Sequence, residues 1–83
     1  ISDKGKQALT MIEIGRAYNY LQVNDKALEY YQRALALYRK VSDKTGEAAA
    51  FNHIGQLYSD LRKYVLALEY YQRALALYRK VSD

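Results

Sequence analysis

The segment from Ala27 to Asp43, ALEYYQRALALYRKVSD, returns letter for letter from Ala67 to Asp83, 40 positions later. A fixed period of about 20–50 residues marks stacked supersecondary units, none of which buries its apolar face alone. With successive residues 100° apart on a helical wheel, Ala27, Leu28, Tyr30, Tyr31, Ala34, Leu35, Leu37, Tyr38 and Val41 fill about half the circumference. Glu29, Gln32, Arg33, Arg39 and Lys40 take much of the rest, joined there by Ala36. So broad an apolar arc suits a helix with two neighbours, its hairpin partner and the next unit. Glu29 and Arg33, and their copies Glu69 and Arg73, are acid-first pairs four apart, which favours an exposed helical ion pair. The basic ending Arg39-Lys40 suits the negative end of the helix dipole.

The offset of 40 extends beyond the identical segment: Ile1–Lys4 aligns with Val41–Lys44, Ala8 with Ala48, Ile14-Gly15 with Ile54-Gly55, Tyr18 with Tyr58 and Leu21 with Leu61. The spacing predicts two units, 4–43 and 44–83, preceded at 1–3 by the remnant of another. Each unit is expected to hold two helices, from about Lys4 to Leu21 and Asn24 to Val41, then Gly46 to Leu61 and Lys63 to Val81. Ser42 or Asp43 is the candidate N-cap of the third helix, and Asn24 or Asp25 of the second. The short joins imply antiparallel neighbours. The fold class is therefore all-α, two tandem antiparallel helix hairpins making four helices.

Composition narrows the functions open to the chain. Its 83 residues make one small domain, and an apolar fraction of 51% argues against disorder. There is no cysteine, hence no disulfide and no thiolate chemistry. No apolar run is long enough for a membrane span, and Ile1-Ser2-Asp3-Lys4 does not begin a signal peptide; both point to the cytoplasm. The net charge of +4 is scattered among acids, its densest cluster being Arg39-Lys40 with Lys44, so it reads as a solvated surface and not a nucleic-acid stripe. His53 is the only histidine and has no partner for metal binding or nucleophilic catalysis. No phosphate-binding loop is present. No enzyme activity, cofactor or metal is expected. Most of the ten tyrosines fall at packing positions, with Tyr20, Tyr30, Tyr64 and Tyr70 less clearly placed.

The residues at fixed places in each unit resemble the tetratricopeptide repeat. Met11, Ile14, Gly15, Tyr18, Ala27, Tyr31 and Ala34 follow its signature in the first unit; Phe51, Ile54, Gly55, Tyr58, Ala67, Tyr71 and Ala74 follow it in the second. The period of 40, with Arg39 and Arg79 where the family usually has proline, is similar to the long-period variant of kinesin light chain and several bacterial arrays. The resemblance implies a right-handed α-solenoid segment that serves as a protein-interaction scaffold, with the first helix of each repeat lining a concave face. Glycine inside a helix costs about 1 kcal/mol relative to alanine, so Gly15 and Gly55 imply a close approach by the neighbouring helix.

The second helices are identical from Ala27 onward, whereas the first helices differ at most positions. Variation falls where a ligand would be read. On the third helix Ala49, Asn52, His53, Gln56 and Asp60 share one stripe with Ser59 at its edge, opposite a core face of Phe51, Ile54, Leu57, Tyr58 and Leu61. The matching stripe on the first helix is Leu9, Ile12, Glu13, Arg16 and Tyr20, with Asn19 alongside. These residues predict a groove, apolar and cationic at one end and amide-rich at the other. It would take an extended or helical peptide anchored by apolar side chains, with Arg16 reaching a carboxylate. The family's carboxylate-clamp mode is not supported, because Ile12 and Arg16 stand where it uses lysine and asparagine.

A second expectation is a self-associating structural module. The last helix carries Tyr71, Leu75 and Tyr78 with no successor in the sequence to cover them, which predicts a homo-oligomer through uncapped repeat ends. Helix exchange is the other route, because Asp60–Leu66 has no glycine, proline or asparagine and could continue as one long helix. The exact duplication is compatible with recent natural duplication or with engineering, and an engineered module would have no native ligand.

Overall fold

Four helices follow one another in the computed structural model, which describes residues 3–82: α1 (Asp3–Tyr20), α2 (Asn24–Lys40), α3 (Lys44–Asp60) and α4 (Tyr64–Ser82). Each lies within a few residues of its expected range. Of the remnant expected at 1–3, Ile1 and Ser2 fall outside the described residues and Asp3 begins α1. The helices pack as two hairpins, α1 on α2 and α3 on α4, joined by the α2·α3 contact; α1 also touches α3. Through the Cα atoms the molecule measures 32 × 26 × 14 Å.

All three connections are the same turn. The backbone is left-handed at Gln22 (φ 64°), Ser42 (φ 59°) and Arg62 (φ 62°). The amide of the following residue donates back to a helix carbonyl: Val23 to Tyr18 at 2.9 Å, Asp43 to Tyr38 at 2.9 Å and Lys63 to Tyr58 at 2.8 Å. The left-handed residues donate to Asn19, Arg39 and Ser59. This double bond is the Schellman ending, here built without glycine. The helix expected to end near Leu61 and restart at Lys63 does so, with the break at Leu61–Lys63, although the stretch Asp60–Leu66 has no turn-forming residue. Paired carbonyls and the burial gained by folding α4 back outweigh the local helix preference.

Capping differs from expectation at one end and agrees at the other. Asp43 caps α3 by accepting from the Gly46 amide at 2.9 Å. Ser42 is the left-handed residue instead. At α2 the N-cap is Val23 without a side-chain bond, and Asn24 and Asp25 lie within the first turn.

The core runs through all four helices: Ala8 and Ile12 from α1, Ala27, Tyr31, Ala34, Leu35 and Tyr38 from α2, Ala48, Ala50, Phe51, Ile54 and Leu57 from α3, and Ala74 from α4. Small residues admit large ones. A Cβ on Gly15 would fall 2.6 Å from Tyr31 Cε1, and one on Gly55 would fall 2.8 Å from Tyr71 Cδ1. Tyr30 stacks on Tyr18 at 5.8 Å between centroids, and Tyr70 on Tyr58 at 5.6 Å. These two tyrosines are packing residues, while Tyr20 and Tyr64 are exposed. Leu61, expected in the core, lies in the last turn and is partly exposed.

Neighbours separate the two identical helices. Tyr31, Leu35 and Tyr38 of α2 are buried because α3 packs beside them. Tyr71 and Tyr78 of α4 are only half-buried, and Leu75 is 47% exposed against 8% for Leu35. Glu29 and Arg33 pair at 2.8 Å as expected. In the copy Arg73 turns instead over the rings of Tyr70, at 5.0 Å, and Phe51, at 6.0 Å.

Candidate functional site

A concavity of 910 Å³ is lined by side chains from all four helices. α1 supplies Glu13, Arg16, Ala17, Asn19 and Tyr20; α3 supplies Asn52, His53, Gln56 and Asp60; Tyr31 and Tyr71 form its floor from α2 and α4. A contiguous hollow of 490 Å³ continues past Asn19, Tyr20 and Asp60 to Gln22, Asn24 and Leu61 at the turns. The stripe periodicity places the first and third helices side by side with these faces open, because their other faces are taken by α2 and α4.

Eight of the twelve groove residues expected from sequence line this concavity. Four do not. Ile12 is buried at 4% exposure, a correction to its place as an apolar anchor: α1 touches α3 as well as α2, and the added neighbour covers position 12. Leu9 is half-exposed away from the concavity, and Ala49 and Ser59 are half-buried beside it. Ala17, Tyr31 and Tyr71 were missed. Tyr31 was read as a packing residue and Tyr71 as an end residue left for self-association, whereas both line the concavity.

The lining is polar and internally bonded. Arg16 is paired with Glu13 one turn back, at 3.2 Å, so the expected cationic end is neutralised within its own helix. Gln56 donates to Asp60 at 3.0 Å and accepts from the Tyr71 hydroxyl at 3.3 Å. His53 stacks on Tyr31 with centroids 5.4 Å apart. Burial holds the His53 pKa below its ordinary value; Arg16 adds to this and Glu13 opposes it. The neutral imidazole is therefore favoured. Burial likewise pushes the Tyr31 hydroxyl up, with Asn19 and Arg16 pulling the other way. The carboxamide oxygen of Asn19 is buried without a hydrogen-bond partner. With Glu13 and Asp60 against Arg16, the concavity carries more acid than base, although the chain as a whole is basic.

Among the described residues no three His, Asp or Glu side chains come together as a metal site would require. No described helix is long and apolar enough to cross a membrane.

In comparison with known families, the tetratricopeptide repeat model matches residues 6–80. No curated protein and no solved structure matches the chain.

Proposed function

The chain belongs to the tetratricopeptide repeat family, whose members are non-catalytic repeat scaffolds that mediate protein–protein interaction, and from that premise we propose that its concavity receives an extended peptide segment of a partner protein. The observation that carries this reading is convergence. Side chains from four helices meet at one open hollow, and three of them, Asn19, Asn52 and Gln56, are carboxamides able to donate to and accept from a peptide backbone. Arg16 exchanges Glu13 for a ligand carboxylate at little cost, since both are exposed. Anchoring falls to the tyrosine floor and not to Ile12.

Peptide-display selection on the folded protein, followed by Arg16→Ala and Asn52→Ala, tests the groove. We expect both variants to weaken the selected peptide while leaving helical circular dichroism intact, and Leu75→Asp on the outer face of α4 to leave binding unchanged. Binding that survives both groove variants overturns the reading. Ile12→Asp is no probe of the groove, because it places a charge in the core.

A second reading is favoured by the exposure of Leu75 where Leu35 is covered. Here the module joins other helical units through the outer face of α4, with Tyr71, Leu75 and Tyr78 at the contact. Exchange of a helix between copies loses its motive, because the turn at Leu61–Lys63 is as well formed as the others.

A further inference from the structure

The hollow of 490 Å³ beyond the concavity lies at the seam between the two units, walled by Asn19, Tyr20, Gln22, Asn24, Asp60 and Leu61. Its one charged wall is the Asp60 carboxylate. Gln56 donates to Asp60 Oδ1 at 3.0 Å. Among the described residues no lysine or arginine pairs with that carboxylate. Arg62 and Lys63 follow it in the sequence but line neither cavity. Arg16, the one base of the neighbouring concavity, is held by Glu13. α1 and α3 both end at this hollow, so two negative helix ends face it against one positive start, that of α2 at Asn24. The hollow is thus negative on a chain whose formal net charge is +4.

The uncharged walls suit a cation as well. The carboxamides of Asn19, Gln22 and Asn24 supply acceptor oxygens. Asn19 belongs to both cavities, and its Oδ1 is buried without a hydrogen-bond partner. Its terminal torsion is soft, so it can turn toward a donor. Tyr20 is 89% exposed, which leaves its ring face open to a cation. A guanidinium, with five N–H groups in a plane, answers the carboxylate, the carboxamides and the ring together.

We infer that this hollow seats an arginine side chain of the bound peptide, with its guanidinium on Asp60 and its flat face against Tyr20. The inference rests on the peptide reading above and gives the ligand its charge pattern. Arg16 and Tyr20 are four apart on α1, a rise of about 6 Å. An extended peptide covers that in two residues, at about 3.3 Å each, and returns its side chain to the same face. The ligand therefore carries an acid and an arginine two positions apart, with Arg16 holding the acid.

Peptide-display selection supplies the probe, and anisotropy of the best selected peptide, labelled with fluorescein, reads its affinity. We expect it to hold an arginine two positions from an aspartate or glutamate. Replacing that arginine by citrulline, its neutral isostere, should weaken binding by about fivefold at low salt. Asp60→Asn should do the same, and the two changes together no more than either alone. Asp60 is exposed, so the variant keeps the fold. A lysine peptide that binds as well as the arginine peptide overturns the stacked guanidinium. A peptide weakened by Arg16→Ala and Asn52→Ala but indifferent to Asp60→Asn overturns the inference and leaves the groove reading standing. If no selected peptide depends on Arg16 or Asn52, the groove reading fails by itself. The hollow is then judged with N-acetyl-arginine N-methylamide at millimolar concentration, followed in amide proton–nitrogen correlation spectra. Saturable shifts at the Gln22 and Leu61 amides, absent with the citrulline analogue and with Asp60→Asn, support the arginine seat. No such shifts, or shifts that citrulline reproduces, overturn it.

Discussion

Gly15 and Gly55 hold the same place in their units and face the same tyrosine, yet they should not respond alike to a methyl group. Tyr31 is 1% exposed and held on its far side by α3, so it cannot yield to the Cβ that would sit 2.6 Å from its ring and 3.3 Å from the Ala27 carbonyl. Tyr71 is half-buried and has room to swing. Alanine is otherwise the better helix residue by about 1 kcal/mol. Gly15→Ala is expected to destabilise by about 1–3 kcal/mol through overpacking. Gly55→Ala should stay within about 1 kcal/mol of wild type, since the helix gain offsets a mild clash. Urea midpoints at unchanged m-value read both; equal losses would count against the account. The need for small residues at 15 and 55 was legible, because glycine within a helix requires a reason. The need at Gly46 was not, because its partner Tyr38 lies across the unit boundary and no periodicity within one helix reveals it. Ile12 was misplaced for a related cause: steps of three and four define a stripe, but which edge of it a third helix covers depends on how the hairpins sit together.

At the scale of the element, the turns say most. The sequence places glutamine, serine and arginine at three left-handed positions, where glycine would be expected. Each costs about 1 kcal/mol relative to glycine. Arg62→Gly should therefore raise the melting temperature by about 4–8 °C per kcal/mol regained, for a domain of this size. A fall in melting temperature would mean that the turn is not formed as described. Helix number, type and boundaries were readable because apolar periodicity and the repeat agree over the whole chain. The unit-two break was readable from the repeat alone, because Asp60–Leu66 contains no turn-forming residue. It is set by closure of the hairpin, with the Lys63 amide returning to the Tyr58 carbonyl at 2.8 Å, and not by local preference. The lesson concerns the duplication: an identical helix demands an identical entry, whatever residues happen to lead into it.

For the whole molecule, that duplication supplies an internal control. One sequence, seen at 27–42 and again at 67–82, is used once between two helices and once against one. Any difference between matching positions is therefore owed to the surroundings. Sequence reasoning anticipated this asymmetry for Tyr71, Leu75 and Tyr78 but not the unequal surroundings of Arg33 and Arg73. The account predicts that Leu35 and Leu75, 8% and 47% exposed, contribute unequally. The measurement is chemical denaturation of Leu35→Ala and Leu75→Ala beside wild type. Leu35→Ala should cost about 2–5 kcal/mol, as cavity-forming core truncations do. Leu75→Ala should cost about 0.5 kcal/mol or less, as surface changes do. Equal losses at the two positions would contradict the claim that α3 covers one copy of the helix and leaves the other copy open.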